Sequence, residues 1–382
     1  VAGKSNLVAP LTRIWSAFWK EGPAHLAQAG RGVVATIDGW LLDSKHAMYG
    51  IAVARMIFAA AALGLLLTNF NTRHYTYGSG AAWSGQLEEA NGSFAGNPLF
   101  EVFFSIARND AAVTVYFLLL IVLAAALLVG YRARLILPVF LVLWIGLIET
   151  PYFGGDQGDN ALRIALFLML FTDHSARWSF DARRRGRSAN STGTIPAKLW
   201  RGTRILPAGL TNLWHNLALV ALACQVFMIY VSGALFKAGG EPWQNGTAIY
   251  GPLHTMRFGP WPELSELITT FGWVVALGSI GSVMLQVCFP GALLFRWTRI
   301  PVLFAMISFH AGIALLMGLP WFSLAMVGID AIFIRDIIWE RMANWFKRSA
   351  RANEEAPPAP APVPDELVDT GERETERVSV GV

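Results

Sequence analysis

The chain has 382 residues, 54% of them hydrophobic and 15% charged, with a mean hydropathy of +0.45. That is too apolar for an ordinary water-soluble domain. A formal charge of +4 calls for no nucleic acid, because basic loops beside anionic lipid account for such an excess.

Residues 1–46 read as a cytoplasmic amphipathic N-terminal segment. Leu11, Ile14, Trp15 and Phe18 recur at i, i+3, i+4 and i+7, with Arg13 and Lys20 off that face, which predicts a helix lying on the inner leaflet. The first long apolar run begins near Ala47, behind this polar stretch, which is not the order of a secretory signal.

About twenty apolar residues cross the roughly 30 Å of hydrocarbon in a bilayer. By that measure eight spans are expected: Ala47–Phe70, Ala112–Gly130, Leu135–Glu149, Asn160–Phe171, Leu213–Phe236, Leu267–Pro290, Pro301–Leu319 and Trp321–Ile338. The fold class is therefore an all-α integral membrane protein, with about eight transmembrane helices and interfacial amphipathic helices. Residues 47–338 form its membrane domain. Between the first two spans, "NPLFEVFFSIARND" opens with an Asn cap and a Pro at the first helical position, then carries an aromatic face. It predicts a second interfacial helix, on the outer side. "DARRRGRSANSTG" reads as a basic cytoplasmic loop. Residues 339–382 are a cytoplasmic tail, and from Ala352 onward its composition predicts disorder.

Charge sets the expected orientation. Of the 30 Lys and Arg, all but six lie before Ala47, in "YRAR", between His174 and Asn212, at Arg296 and Arg299, or from Arg335 on. Arg73, Arg108 and Arg257 occupy the alternate loops; Arg55, Arg163 and Lys237 lie at membrane depth. The asymmetry puts both termini in the cytoplasm of a multi-pass cell-membrane protein. Cys224 and Cys288 both fall inside spans, so neither a disulfide framework nor a cysteine metal site is expected.

Ionisable groups at membrane depth are costly and mark cavities or partners. "GGDQGDNALR" places Asp156, Asp159, Asn160 and Arg163 on one helical face, so Asp159 and Arg163 can pair locally. The structural alternative is an ion-pair network joining spans one, three and four, with Arg55 and Glu149 as members. His310, mid-span in "ISFHAGIAL", is more often an interhelical hydrogen bond than a ligand or base. Metal, hydrolase and nucleotide-binding spacings are missing from the sequence. Lys237 closes the fifth run in "YVSGALFKAGGEPWQNGTA", on one face with Tyr230 and Gly233. It is either an interfacial anchor that snorkels to headgroups or a charged group at the mouth of a cavity.

"GGDQGDNALRIALFLMLFTDHSARWSFDA", "YVSGALFKAGGEPWQNGTA" and "FHAGIALLMGLPWFSLAM", in that order, resemble the HTTM (horizontally transferred transmembrane) family, which includes the vitamin K-dependent gamma-glutamyl carboxylase. The resemblance implies that Lys237 stands where that family holds an essential lysine, the proposed base toward vitamin K hydroquinone. It makes Tyr230, Trp243 and Gly246 framing residues and His310 the family histidine of the "FH" string. The chain departs from the carboxylase at Gly158, Asp159 and Asn160, where an Asn-His pair is expected, and no large lumenal domain follows the last span. The resemblance therefore implies the membrane fold and argues against true gamma-carboxylation, as for similar bacterial members.

The leading expectation is an outward-facing cavity for a hydrophobic or quinone-like ligand, acting on a lipid or a secreted peptide. Lys237 and His310 would be its catalytic groups. Tyr230, Trp243 and Gly246 would bind ligand, and Asp159, Asn160 and Arg163 would shape a polar floor. Quinone or another lipid is the cofactor this implies. Membrane lipid, a secreted peptide or a thiol–disulfide oxidoreductase-like protein are the partners. The alternative is a non-enzymatic maturation or assembly platform, so whether the chain is an enzyme stays open. Transport is disfavoured because no internal repeat is found.

Overall fold

A computed structural model describes residue 28 and residues 30–81, 96–150, 156–187, 194–201, 205–256 and 258–355. The expected inner-leaflet helix around Leu11 to Phe18 lies outside the described residues, as does the tail beyond Glu355. Among the described residues every element is helical. Two compact units divide the chain, Val1–Trp339 and Glu340–Val382.

Within the first unit, α1 (residues 30–42) leads to α2 (Met48–Thr68) and the short α3 (Arg73–Tyr77). Then come α4 (Pro98–Ala107), α5 (Asp110–Val129), α6 (Ala133–Glu149), α7 (Gln157–Met169), α8 (Phe180–Arg187) and α9 (Ile195–Arg201). The second half is α10 (Ala208–Ala238), one-turn α11 (Glu241–Gln244) and α12 (Tyr250–Leu253), α13 (Pro262–Thr270), α14 (Gly272–Leu294), α15 (Arg299–Leu316) and α16 (Pro320–Asp330). A 3₁₀ turn, Ala331–Phe333, connects to α17 (Asp336–Glu355), whose residues from Glu340 on belong to the second unit.

Five helices, α2, α5, α10, α14 and α15, are long and apolar enough to cross a membrane. The other three expected spans are helices too, but shorter. α6 has 17 residues with Pro138 inside, α7 has 13 and α16 has 11. The expected sixth span also starts late. Phe271 is extended (φ −92°, ψ 95°) and separates α13 from α14, so the long helix begins at Gly272.

The short helices still run between the ends of the bundle. Trp321 Nε1 donates to Thr68 Oγ1 (3.0 Å) at the end of α2. At the other end Asp336 accepts from the Met48 and Tyr49 amides (3.0 and 2.9 Å) at its start. The segment from Trp321 to Asp336 therefore lies antiparallel along the whole of α2, completing its length with the 3₁₀ turn rather than with helix. Small residues let it approach: a Cβ on Gly50 would stand 2.6 Å from the Ala331 carbonyl oxygen.

Caps explain the other boundaries. Asn109 accepts from Ala112 N (3.0 Å) to start α5. Gly130, at φ 70°, ends it in the left-handed region that favours glycine. Asp156 and Asp159 form a reciprocal capping box at α7. Asp181 in α8 accepts from the Arg132 and Ala133 amides (both 2.9 Å) at the start of α6, so the expected basic loop contains a helix that caps its neighbour. The core centres on Trp144, Phe58, Phe117 and Phe140. The α4 segment begins at Pro98 as expected, but Phe100, Phe103 and Phe104 bury its aromatic face.

Candidate functional site

α10 carries Tyr230 and Lys237 to one side of the bundle, facing α14 and α15. After Lys237 the chain turns back at once: Gly240 N donates to the Lys237 carbonyl (2.9 Å) and Trp243 N to the Gly240 carbonyl (3.1 Å). That turn sets the Trp243 ring 5.1 Å from Lys237 Nζ, with the Phe309 ring at 5.8 Å. Both distances suit cation–π attraction. Lys237 Nζ donates to Gln286 Oε1 (2.9 Å). Glu241, the acid nearest in sequence, instead accepts from Asn245 Nδ2 (3.4 Å). Gly246 holds φ 72°, and a Cβ there would stand 3.2 Å from Ala276 Cα. It lets the loop close onto α14, which is a packing role.

Below the lysine lies a buried polar cluster. The Tyr230 hydroxyl is 3.1 Å from His310 Nε2 and 3.5 Å from Asp330 Oδ2, and each of the three residues is 2% exposed. If the hydroxyl donates to Asp330, His310 Nε2 must be the donor to the phenol oxygen, which leaves Nδ1 as a free lone pair. His310 Nδ1 and Asp330 Oδ1 are both buried without a hydrogen-bond partner among the described residues. Phe289 packs edge-on against Tyr230, and Phe322 sits 6.0 Å from the His310 ring.

The α7 residues form a different arrangement from the expected one. Arg163 pairs with Glu149, and its Nε donates to Asn160 Oδ1 (2.9 Å). Asp159 accepts from Asp156 N (3.0 Å) within the capping box. The capping geometry claims the Asp159 carboxylate, so the expected Asp159–Arg163 pair gives way to Arg163–Glu149. Asp156 and Asp159 line a cavity of about 160 Å³ with Asn69, Trp321 and Phe322. Phe322 thus stands between this cavity and His310. Beside it, burial and the Asp159 and Asp156 carboxylates hold the Tyr77 hydroxyl protonated well above its ordinary range.

Arg55 belongs to neither group. Its Nη1 donates to the Leu127 carbonyl (2.8 Å) and its Nη2 to the Trp178 carbonyl (2.9 Å). It sits near the start of α2, at the opposite end from Glu149 and Arg163, so among the described residues no network joins the three spans.

Sequence reasoning missed two residues here, Asp330 and Gln286. Asp330 carries a readable signal, a single acid in the apolar run "FSLAMVGIDAIF". Gln286 carries none beyond an amide among apolar neighbours. Cys224 and Cys288 are exposed and unpaired, and no group of three His, Cys, Asp or Glu among the described residues could hold a metal ion. No protein-family model, curated protein or solved structure matches the chain.

Proposed function

We propose that the chain is an HTTM-like protein of the cell membrane, with eight crossings and both termini cytoplasmic, that binds a hydrophobic, quinone-like ligand beside Lys237 in an outward-facing site. One observation carries the reading: the Lys237 ammonium is half-buried, flanked by two aromatic rings, and partnered by a neutral amide rather than a carboxylate. A cation at membrane depth with its charge uncompensated favours a ligand oxygen. Flat aromatic walls favour a planar apolar body.

In this reading Lys237 donates a hydrogen bond to a ring oxygen of the ligand. His310, hydrogen-bonded to Tyr230, is the proton-accepting group deeper in the site. Asp159 acts from its own cavity, on the far side of Phe322. The resemblance to the HTTM family points to the same lysine. The substrate of such a site is a lipid or a secreted peptide, and gamma-carboxylation is not proposed, because Gly158, Asp159 and Asn160 replace the Asn-His pair.

Native mass spectrometry of the detergent-purified chain tests the binding. A retained hydrophobic, quinone-class species is expected, and recovery of protein bearing only ordinary phospholipid would contradict the proposal.

A further inference from the structure

A second cavity, of about 700 Å³, opens at the opposite end of the bundle, where α2, α6 and α10 begin and α7 ends. Its polar side is basic. Lys45, Arg134 and Arg185 line it, with Asp173 as the carboxylate among them. That carboxylate is shared: Lys45 Nζ reaches it at 2.9 Å and Arg134 pairs with its other oxygen. Arg185 gives two of its donors to Ser175, one to the hydroxyl (3.1 Å) and one to the carbonyl. Three basic side chains and one acidic one line the cavity. His174 backs the cavity, 1% exposed, and its Nδ1 has no hydrogen-bond partner among the described residues.

The opposite wall is apolar and open. Phe171, Leu206 and Trp214 line it, and each is more than a third exposed. The cavity is held in shape before any ligand arrives. Asn216 Nδ2 donates to the Trp40, Leu41 and Ser44 carbonyls (3.1, 3.0 and 2.7 Å), capping the end of α1. His215 bridges the Asp173 amide (3.0 Å) and the His46 carbonyl (2.8 Å). These bonds fix Lys45 and Asp173 from both sides.

We propose that this cavity binds the phosphate of an anionic amphiphile, with the phosphate against Lys45, Arg134 and Arg185 and the apolar chain along Phe171, Leu206 and Trp214. The excess positive charge selects an anion, and guanidinium forks match phosphate oxygens. The exposed apolar wall selects a chain attached to it, and the volume is in the range of ligand sites. Basic pockets between helix ends suit anionic headgroups. The site is separate from that of Lys237.

The test is thermal unfolding of the full chain in a neutral detergent, titrated with phosphatidylglycerol, phosphatidylcholine or inorganic phosphate. Phosphatidylglycerol is expected to raise the midpoint with saturation, and phosphatidylcholine is not. Arg134→Gln should raise the half-saturating concentration about fivefold, the effect of one cation beside anionic lipid. Leu206→Glu leaves every ion pair in place and should weaken binding at least as much, so it decides the matter if Arg134→Gln folds poorly. Equal protection by inorganic phosphate would show that the apolar wall adds nothing and would overturn the amphiphile proposal in favour of a free phosphate site. Equal protection by phosphatidylcholine, or an undiminished response in Leu206→Glu, would overturn the proposal.

Discussion

The Tyr230 hydroxyl stands 3.1 Å from His310 Nε2, tying α10 to α15 inside an otherwise apolar region. Tyr230→Phe removes the only described hydrogen-bond partner of that nitrogen and of Asp330 Oδ2. Leaving buried polar groups unpaired costs about 1–3 kcal/mol. Denaturation in detergent should show a loss of that size. The same substitution in a His310→Leu background should cost less, because part of the penalty is already present.

Two glycines should behave oppositely. A Cβ on Gly50 meets the Ala331 carbonyl oxygen at 2.6 Å, and that backbone cannot yield. Gly50→Ala should therefore destabilise by about 1–3 kcal/mol through overpacking. Gly233, on the Tyr230–Lys237 face, has nothing within 4 Å of the added Cβ. Gly233→Ala should be neutral or gain up to about 1 kcal/mol from helix propensity. If the ligand occupies that open face, the same change should reduce retained ligand while the melting temperature holds or rises.

The long apolar runs made five helices long and apolar enough to cross a membrane legible, because a bilayer's hydrocarbon takes about twenty apolar residues in a row. Their ends were less so. α6 ends at Glu149, where its run does, and continues through Pro138. α7 starts at Gln157, three residues before its expected run, behind the Asp156–Asp159 capping box. α16 stops short of its expected run, at Asp330, with a 3₁₀ turn after it. At the site, the glycine pair after Lys237 did signal a fold-back, and Trp243 returns over the lysine. Arg55 was unreadable because its partners are backbone carbonyls, which no sequence pattern marks. The Asp159–Arg163 spacing was sound helical geometry, but the Asp156 amide claims Asp159 and Glu149 claims Arg163.

Acid sensitivity should come from the basic end. Burial, then the Arg55 and Arg134 charges, lowers the His174 imidazole to about 3. A depressed folded pKa means the unfolded chain takes up the proton first, so stability falls as pH drops from about 6.5 toward that value. Burial raises the Asp173 carboxyl, but Arg134 and Lys45 outweigh it and hold it well below the ordinary carboxylate range. Its contribution is full above about pH 3.9 and is lost as pH falls further. His174→Gln should flatten the upper part of the stability-versus-pH curve and Asp173→Asn the lower part. Urea midpoints from about pH 7 down to about pH 2 measure both.

Topology can be checked on intact cells. With Cys224→Ser and Cys288→Ser as background, Gly80→Cys and Gly251→Cys should react with an impermeant maleimide from outside, and Ser188→Cys should not. The reverse pattern would place the Lys237 end in the cytoplasm.

Lys237 offers the most direct test of ligand binding. Lys237→Met leaves Gln286 Oε1 unpaired and removes the charge between Trp243 and Phe309. Lys237→Arg keeps a charge but replaces a compact ammonium with a planar fork that does not occupy the same place. Native mass spectrometry on wild type and both variants, beside their melting temperatures, should show hydrophobic ligand in the wild type and its loss in both variants, with the fold intact. Unchanged ligand content in both variants would contradict the account and leave Lys237 a membrane anchor.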